Sequence, residues 1–331
     1  MRLRRPRLVA IGLIAALALS ACGSTDDGAS ADEEGWTYES GSGDTISLDA
    51  KPERIIASAQ EAAALISYGI KPVGIYLSQP VETEPALKGV DLEGIEIVGK
   101  TWGKIDAEKA AALKPDLIVA DYWPQEKAYS GFEESVSAES KKVADLAPVI
   151  GANQKGSLED IVEWYEGFAE SVGVDTSGGK YAEGRQKYEA AKKRFQDTVK
   201  AKKDLSVLAV SPADDMLYVA VPAYSTSLTD FKAWGLDVID PTNPKKDFPY
   251  WEYLSWEKAD KYQPDLLLLD DRDYDGSLKT AKKQPTWNKI TAAEADAITP
   301  WPGFWIHTYD QYAGQLDQLT DAIDKADANL S

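Results

Sequence analysis

Cysteine and histidine are what this chain has least of: one of each in 331 residues. Each shortage excludes chemistry. The lone Cys22 cannot make an internal disulfide or a cysteine-based metal centre. The lone His307 cannot assemble a histidine cluster for zinc or manganese. It is also the single candidate base for a Ser-His-Asp triad, and no nucleophile-elbow motif accompanies it. Neither common Gly-rich phosphate-loop spacing occurs. Positive charge is scarce as well, with 36 Lys and Arg against 55 Asp and Glu, a net −19. So acidic a surface argues against nucleic acid or anionic lipid as a partner. Catalysis is poorly provided for, and no cofactor is implied.

What the chain does have is a stretch written twice. Trp102 to Asp121, WGKIDAEKAAALKPDLIVAD, returns as Trp251 to Asp270, WEYLSWEKADKYQPDLLLLD, 149 residues later, with eight of twenty positions identical. Each copy offers a helix cap (Asp106, Ser255) and a first-turn glutamate (Glu108, Glu257) that suits the helix dipole. A Pro-Asp turn then stops the helix, and an apolar run follows of the kind buried on both faces of a parallel sheet. The fold expected is α/β: two similar lobes with parallel-type central sheets, joined by a long bridging helix. Each lobe should present a tryptophan just before its repeated helix.

The 331 residues allow such a pair of lobes with ample core. Residues 1–21 carry Arg2, Arg4, Arg5 and Arg7, then an apolar run from Leu8 to Leu19 too short to span a membrane. They end at Leu19-Ser20-Ala21-Cys22, which resembles a bacterial lipobox, so cleavage before Cys22 and its lipidation are implied. The mature chain would then carry 32 basic against 55 acidic residues. Residues 22–45 are small, polar and acidic, and read as a flexible tether. An N-terminal α/β lobe is expected over 46–156, a bridging helical segment over 157–203, and a C-terminal α/β lobe over 204–331. In the bridge, Tyr181, Tyr188 and Phe195 repeat every seven residues opposite Lys187, Lys192, Lys193 and Arg194, the pattern of one long amphipathic helix.

Aromatic residues are plentiful, with ten Trp and sixteen Tyr. They gather where strands run into helices: Tyr76, Trp102, Tyr122-Trp123, Phe248 to Trp251, and Trp301 to Trp305. In parallel sheets those carboxyl-end loops line the ligand crevice. Aromatic walls with few polar anchors suit a large, partly apolar guest.

The lipobox, the RIIASAQEAAALISYGIKPVGIY opening, the two Pro-Asp blocks and the long helix together resemble one family over about residues 46–327. It is the helical-backbone class of ABC-transporter substrate-binding lipoproteins, which deliver ferric siderophores, haem and cobalamin. The resemblance implies a monomer held at the extracytoplasmic face of the membrane through Cys22, serving an ABC permease and its ATPase. Glu108 and Glu257 match the two glutamates that dock into permease arginines in this family. Trp102 stands where enteric hydroxamate-siderophore binders carry an arginine. Cobalamin binders have tryptophans at Trp102 and Trp251, and a third where this chain has Asp121, with Tyr122 and Trp123 next. The Gly303 to His307 loop, with Trp305, resembles an aromatic loop that closes over hydroxamate ligands. Arg272 is the one arginine expected to face the cleft. The expected ligand contacts are therefore Tyr76, Trp102, Asp121, Tyr122, Trp123, Tyr250, Trp251, Arg272, Trp305 and His307. The resemblance implies a ferric siderophore of hydroxamate type, with iron held by the siderophore and not by the protein. A corrinoid is the alternative within the family, and a lipid-anchored enzyme with His307 as base the alternative outside it.

Overall fold

The computed structural model describes residues 35–302 and 306–330, which belong to one compact unit beginning at Glu34. The lipobox with Cys22, and Trp305, lie outside the described residues. The tether expected over 22–45 does not hold for its last third. Strands β1 (Trp36–Glu39) and β2 (Thr45–Leu48) form an antiparallel hairpin instead. The anchor is Trp36, which is buried and donates its indole N–H to Ser171 Oγ at 3.0 Å.

The N-terminal lobe follows. Strand β3 (Ile55–Ser58) runs into α1 (Ala59–Ser67), which Gly69 closes at φ 81°, and β4 (Gly74–Tyr76) comes next. Then come β5 (Glu96–Thr101), β6 (Lys104–Ile105), α2 (Ala107–Ala112), β7 (Leu117–Val119), β8 (Tyr122–Trp123), β9 (Ala128–Tyr129), α3 (Ala138–Val143) and β10 (Val149–Ile150). The main sheet has the order β10-β7-β3-β4-β5-β6 and is parallel except for β6.

After α4 (Leu158–Ser171) and the 23-residue α5 (Gly179–Ala201), the C-terminal lobe is built from β11 (Ser206–Pro212), β12 (Met216–Ala220), α6 (Thr226–Ala233), β13 (Asp237–Val238), β14 (Trp251–Ser255), β15 (Leu266–Asp270), α7 (Tyr274–Lys282), α8 (Thr291–Glu294) and β16 (Ile298–Trp301). Helix α9 (Tyr309–Lys325) ends the fold. Here the parallel set is β13, β11, β15 and β16, and β12 and β14 add an antiparallel edge.

The repeat has a physical meaning in both lobes. Ile118 pairs with Val149, and at the same 149-residue offset Leu267 pairs with Ile298. Each Pro-Asp carboxylate ties its strand to the lobe's first strand. Asp116 accepts from the amides of Glu53 and Arg54 at 2.8 and 2.9 Å. Asp265 accepts from the Ser206 amide and hydroxyl, both at 2.8 Å, and from the Leu330 amide. The copies diverge between Trp and Pro. Asp106 caps α2 by accepting from the Lys109 amide, whereas Trp256–Lys261 winds as a 3-10 turn and not the α-helix expected. Trp256 is pinned there by its N–H on the Ala213 carbonyl, and Tyr262 by its hydroxyl on Glu252, which tightens the intervening turn.

Alternate residues of each central strand face different cores, as the strand period requires. Ile56, Ile118 and Ala120 pack on the outer side of the N-terminal sheet, and Leu208, Leu267 and Leu269 do the same in the C-terminal sheet. Ile55, Leu117, Val119, Val207, Leu266 and Leu268 face one continuous core shared by both lobes. Helix α5 belongs to that core along its whole length. Tyr181 stacks on Tyr68 of the N-terminal lobe, Tyr188 on Tyr312, and Phe195 packs against Phe231 of the C-terminal lobe.

If the Pro-Asp carboxylates hold the sheets as described, Asp265→Ala should cost about 2–3 kcal/mol, since it strands buried amide donors. Asp116→Ala, at a more exposed site, should cost less. Urea melts of the two variants check the ranking; equal losses would count against it.

Candidate functional site

The carboxyl ends of the parallel strands in the two lobes face each other, and contacts between described residues join them at three places. At one side the Trp123 and Tyr250 rings meet edge to face at 5.6 Å, and the Tyr250 hydroxyl donates to Glu126. Tyr224 and Phe248 pack against the same Tyr250 ring at 5.7 and 4.9 Å. Elsewhere Gln79 reaches the Arg272 carbonyl at 3.5 Å. In the interior, His307 Nε2 lies 3.1 Å from Asp121 Oδ2, with both side chains buried.

These contacts sort the expected ligand residues. Trp102 is 49 % exposed at the tip of the β5–β6 turn, where Gly103 at φ 67° makes the reversal. Tyr122, Trp123 and Tyr250 are half-buried at the cleft mouth. Trp251 is not the mirror image of Trp102. It opens strand β14, is buried, and packs edge to face on Trp301 at 6.4 Å. Tyr76 is likewise interior, its hydroxyl donating to the Ser130 carbonyl at 2.7 Å and its ring against Phe132. Arg272 reaches the cleft edge, yet its guanidinium is bound by Asp270, with Nε 3.0 and 2.9 Å from the two carboxylate oxygens. The positive charge expected of this arginine is therefore neutralised within its own loop.

Asp121 is the hub of a buried polar cluster, and its carboxylate faces inward instead of into the cleft. Oδ1 accepts from the Tyr165 hydroxyl at 2.6 Å, while Oδ2 accepts from Gln154 and meets His307. The Asp121 amide donates to Glu61 Oε1 at 3.0 Å. Gly151 allows this crowding, since a Cβ there would lie 1.8 Å from the Ala120 carbonyl oxygen. Burial pushes the Glu61 carboxyl up to about 8, the neighbouring Asp121 charge adding to the shift and His307 opposing it. A second buried carboxylate, Asp230 on α6, accepts from the Leu158 and Glu159 amides at the start of α4 and from the Tyr312 hydroxyl. Burial raises it to about 6. Neither Glu61 nor Asp230 stood out in so acidic a sequence. The one signal was Glu61 as the only charge in the stretch from Ile55 to Ile66.

No cluster of three or more metal-ligating side chains is found among the described residues, and none of their helices is long and apolar enough to cross a membrane. Glu108 and Glu257 both lie exposed, one on each lobe, at the starts of α2 and the 3-10 turn.

Residues 42–303 match the family described as periplasmic binding protein. The chain belongs to that family. It is a binding protein and not an enzyme, and the two-lobed helical-backbone class drawn from the sequence holds. Among curated relatives, the Fe(3+)-citrate-binding protein YfmC of Bacillus subtilis is 24 % identical over 87 % of this chain and 86 % of its own. The probable siderophore-binding lipoprotein YfiY of the same organism is 32 % identical, over 35 % of this chain and 37 % of that protein. Among solved structures, DesE, a ferric-siderophore receptor from Streptomyces coelicolor, has a TM-score of 0.80 and 28 % identity, covering 88 % of this chain and 99 % of its own. The triscatecholate siderophore-binding protein FeuA of B. subtilis, at 16 % identity and TM-score 0.65 over 87 % of this chain and 97 % of its own, shares the fold.

Asp230 gives a pH test of the junction between α4 and the C-terminal lobe. Its carboxyl rises from 3.8 to about 6 on folding. The stability it confers is therefore full below pH 3.8 and lost as pH rises through 6. Asp230→Asn does not titrate, so between pH 3.5 and 7 it should gain on the parent by about 2–3 kcal/mol. Thermal melts at both pH values check this, and a constant gap would refute it.

Proposed function

We propose that this protein is the extracytoplasmic, lipid-anchored substrate-binding component of an ABC importer for ferric siderophores, with a hydroxamate-type, ferrioxamine-like complex as ligand. The observation that carries the class is the likeness to the ferric-siderophore receptor DesE along nearly the whole chain. The hydroxamate preference rests on the charge of the cleft. Asp270 pairs with Arg272, and the rings of Trp123 and Tyr250 and the Glu126 carboxylate stand at the mouth. Such a site favours a neutral or cationic complex over a triscatecholate or citrate complex of several negative charges.

On this reading Trp102, Tyr122, Trp123, Tyr250 and Arg272 contact the ligand, and Trp305, outside the described residues, is a further proposed contact. Tyr76, Asp121, Trp251 and His307 support the walls from behind. Iron arrives coordinated by the siderophore's own oxygens. Residues 46–156 and 204–331 form the two walls and 157–203 the helical segment behind them, while lipidated Cys22 keeps the monomer at the membrane. Glu108 and Glu257, solvated and one per lobe, dock to permease arginines, which pair well with carboxylates.

Native mass spectrometry of the protein from iron-starved cells should show a bound ferric complex. In titrations followed by Trp fluorescence, ferrioxamine B should quench at lower concentration than cyanocobalamin or ferric enterobactin. The opposite order would assign the corrinoid or the catecholate. Glu108→Ala/Glu257→Ala should leave that titration unchanged while uptake into cells falls at least tenfold. Unaltered uptake would remove the docking role.

A further inference from the structure

The hairpin of β8 and β9 carries Tyr122, Trp123 and Glu126 to the cleft mouth. Its ladder consists of two residue pairs, Tyr122 with Tyr129 and Trp123 with Ala128. A two-stranded ribbon so short does not hold its shape in water unaided. Within the lobe it is tied at its base, where the Ser130 amide donates to the Asp121 carbonyl and the Trp123 indole to Ser130 Oγ at 2.8 Å. A second support comes from the turn between β1 and β2, which reaches Tyr129. The Tyr129 hydroxyl donates to Ser42 Oγ at 2.9 Å and lies 2.7 Å from Ser40 Oγ. Ser40 is buried there and also accepts from the Gly151 amide. Asn153 Nδ2 donates to the Gly41 carbonyl, and the Gly41 amide to the Gly151 carbonyl, both at 2.7 Å. So close an approach requires glycine at 41, since a Cβ would lie 2.4 Å from the Asn153 amide nitrogen. Residues 151–153 in turn run beside Tyr122, whose amide donates to the Ala152 carbonyl at 2.8 Å.

The turn is itself held firmly. The Tyr38 hydroxyl donates to the Trp164 carbonyl at 2.7 Å and the Trp164 indole to the Glu39 carbonyl at 2.9 Å, while the rings of Trp36, Tyr38, Trp164 and Phe168 pack together. Helix α4 thus fixes β1 and β2, and their turn fixes β9. We propose that Tyr129 is a positioning residue for ligand binding: its hydroxyl, clasped by Ser40 and Ser42, sets the β8–β9 hairpin so that Tyr122, Trp123 and Glu126 stand ready opposite Tyr250. This role rests on the reading of the cleft mouth as the ligand site. Tyr129 acts from behind the wall, its ring edge to face on Tyr122 at 5.2 Å and its hydroxyl on the serines. Without the clasp the hairpin samples other positions, and ordering it again on binding costs conformational entropy. The clasp sets the place of the wall and is indifferent to which ligand the wall meets.

Tyr129→Phe is the test, because it removes the hydroxyl and keeps the ring. In the Trp fluorescence titration with ferrioxamine B, Kd should rise about tenfold, as two hydrogen bonds are lost. Parent and variant are compared where both are fully folded, so that a loss of stability alone leaves the affinity untouched. In the ligand-free proteins, hydrogen exchange followed by mass spectrometry should quicken about tenfold or more over residues 122–130 and keep the parental rate in β3 and β7. Ser42→Ala removes one partner from the other side of the contact and should raise Kd about threefold. It takes over both measurements if Tyr129→Phe does not fold. A parental Kd, parental exchange over 122–130, or exchange that quickens equally in β3 and β7 overturns the positioning role. If the parent binds none of ferrioxamine B, ferric enterobactin and cyanocobalamin, it is the ligand reading of the cleft that fails, and the exchange rates alone decide the role of the clasp.

Discussion

The structure depends most on the aromatic seam along α5. A flexible strand between two lobes would leave their separation undefined. Here Tyr181, Tyr188 and Phe195 are spaced so that one rigid helix packs on Tyr68 at one end, Tyr312 in the middle and Phe231 at the other. Aromatic pairs of this kind contribute about 0.5–1.5 kcal/mol each beyond their buried area. More important is that they lie in the one core both lobes share, so rotating one lobe disturbs the packing of the other. The exposed pairs that flank the seam, Lys187 with Asp310 and Arg194 with Asp317, add little stability in water. They do fix which face of α9 lies against α5.

A seam of that stiffness places the working motions at the cleft mouth. Contacts across the mouth between described residues are polar or edge-on: Trp123 on Tyr250, Tyr250 on Glu126, Gln79 on the Arg272 carbonyl. Each gives way at little cost, while the aromatic faces behind them stay where the sheets hold them. The interior contact between Asp121 and His307 differs in kind, because both side chains are buried away from water, where a polar group left without its partner is costly.

Much of this was legible because the repeat is enforced by backbone chemistry. Pro-Asp recurs since each carboxylate must satisfy amides at the start of a neighbouring strand, and a motif with so definite a duty keeps its spacing. The heptad of α5 was readable for a similar reason. What the sequence hid were residues whose duty is set by distant neighbours. Trp102 and Trp251 occupy matching places in the text, yet a two-residue turn exposes one and strand pairing buries the other. The β1–β2 hairpin was obscured by composition, although Trp36, Tyr38, Ile46 and Leu48 alternate about a Ser-Gly-Ser-Gly turn. Glu61 and Asp230 were two acids among 55.

That last failure bears on how an acidic binding protein manages charge. With so many carboxylates, pairing each with a cation is impossible, and the fold separates them by environment. Most are left in water. Asp116 and Asp265 are spent on backbone amides, and Asp270 on the one arginine at the cleft. Glu61, Asp121 and Asp230 are taken inside, where tyrosine hydroxyls, amides and a single imidazole receive them. At the cleft mouth the Arg272 guanidinium is thereby paired, and the rings of Trp123, Tyr224, Phe248 and Tyr250 pack together there. The same distribution that leaves most acids in water thus takes three of them inside the fold, where hydroxyl, amide and imidazole partners stand in for the cations the chain lacks.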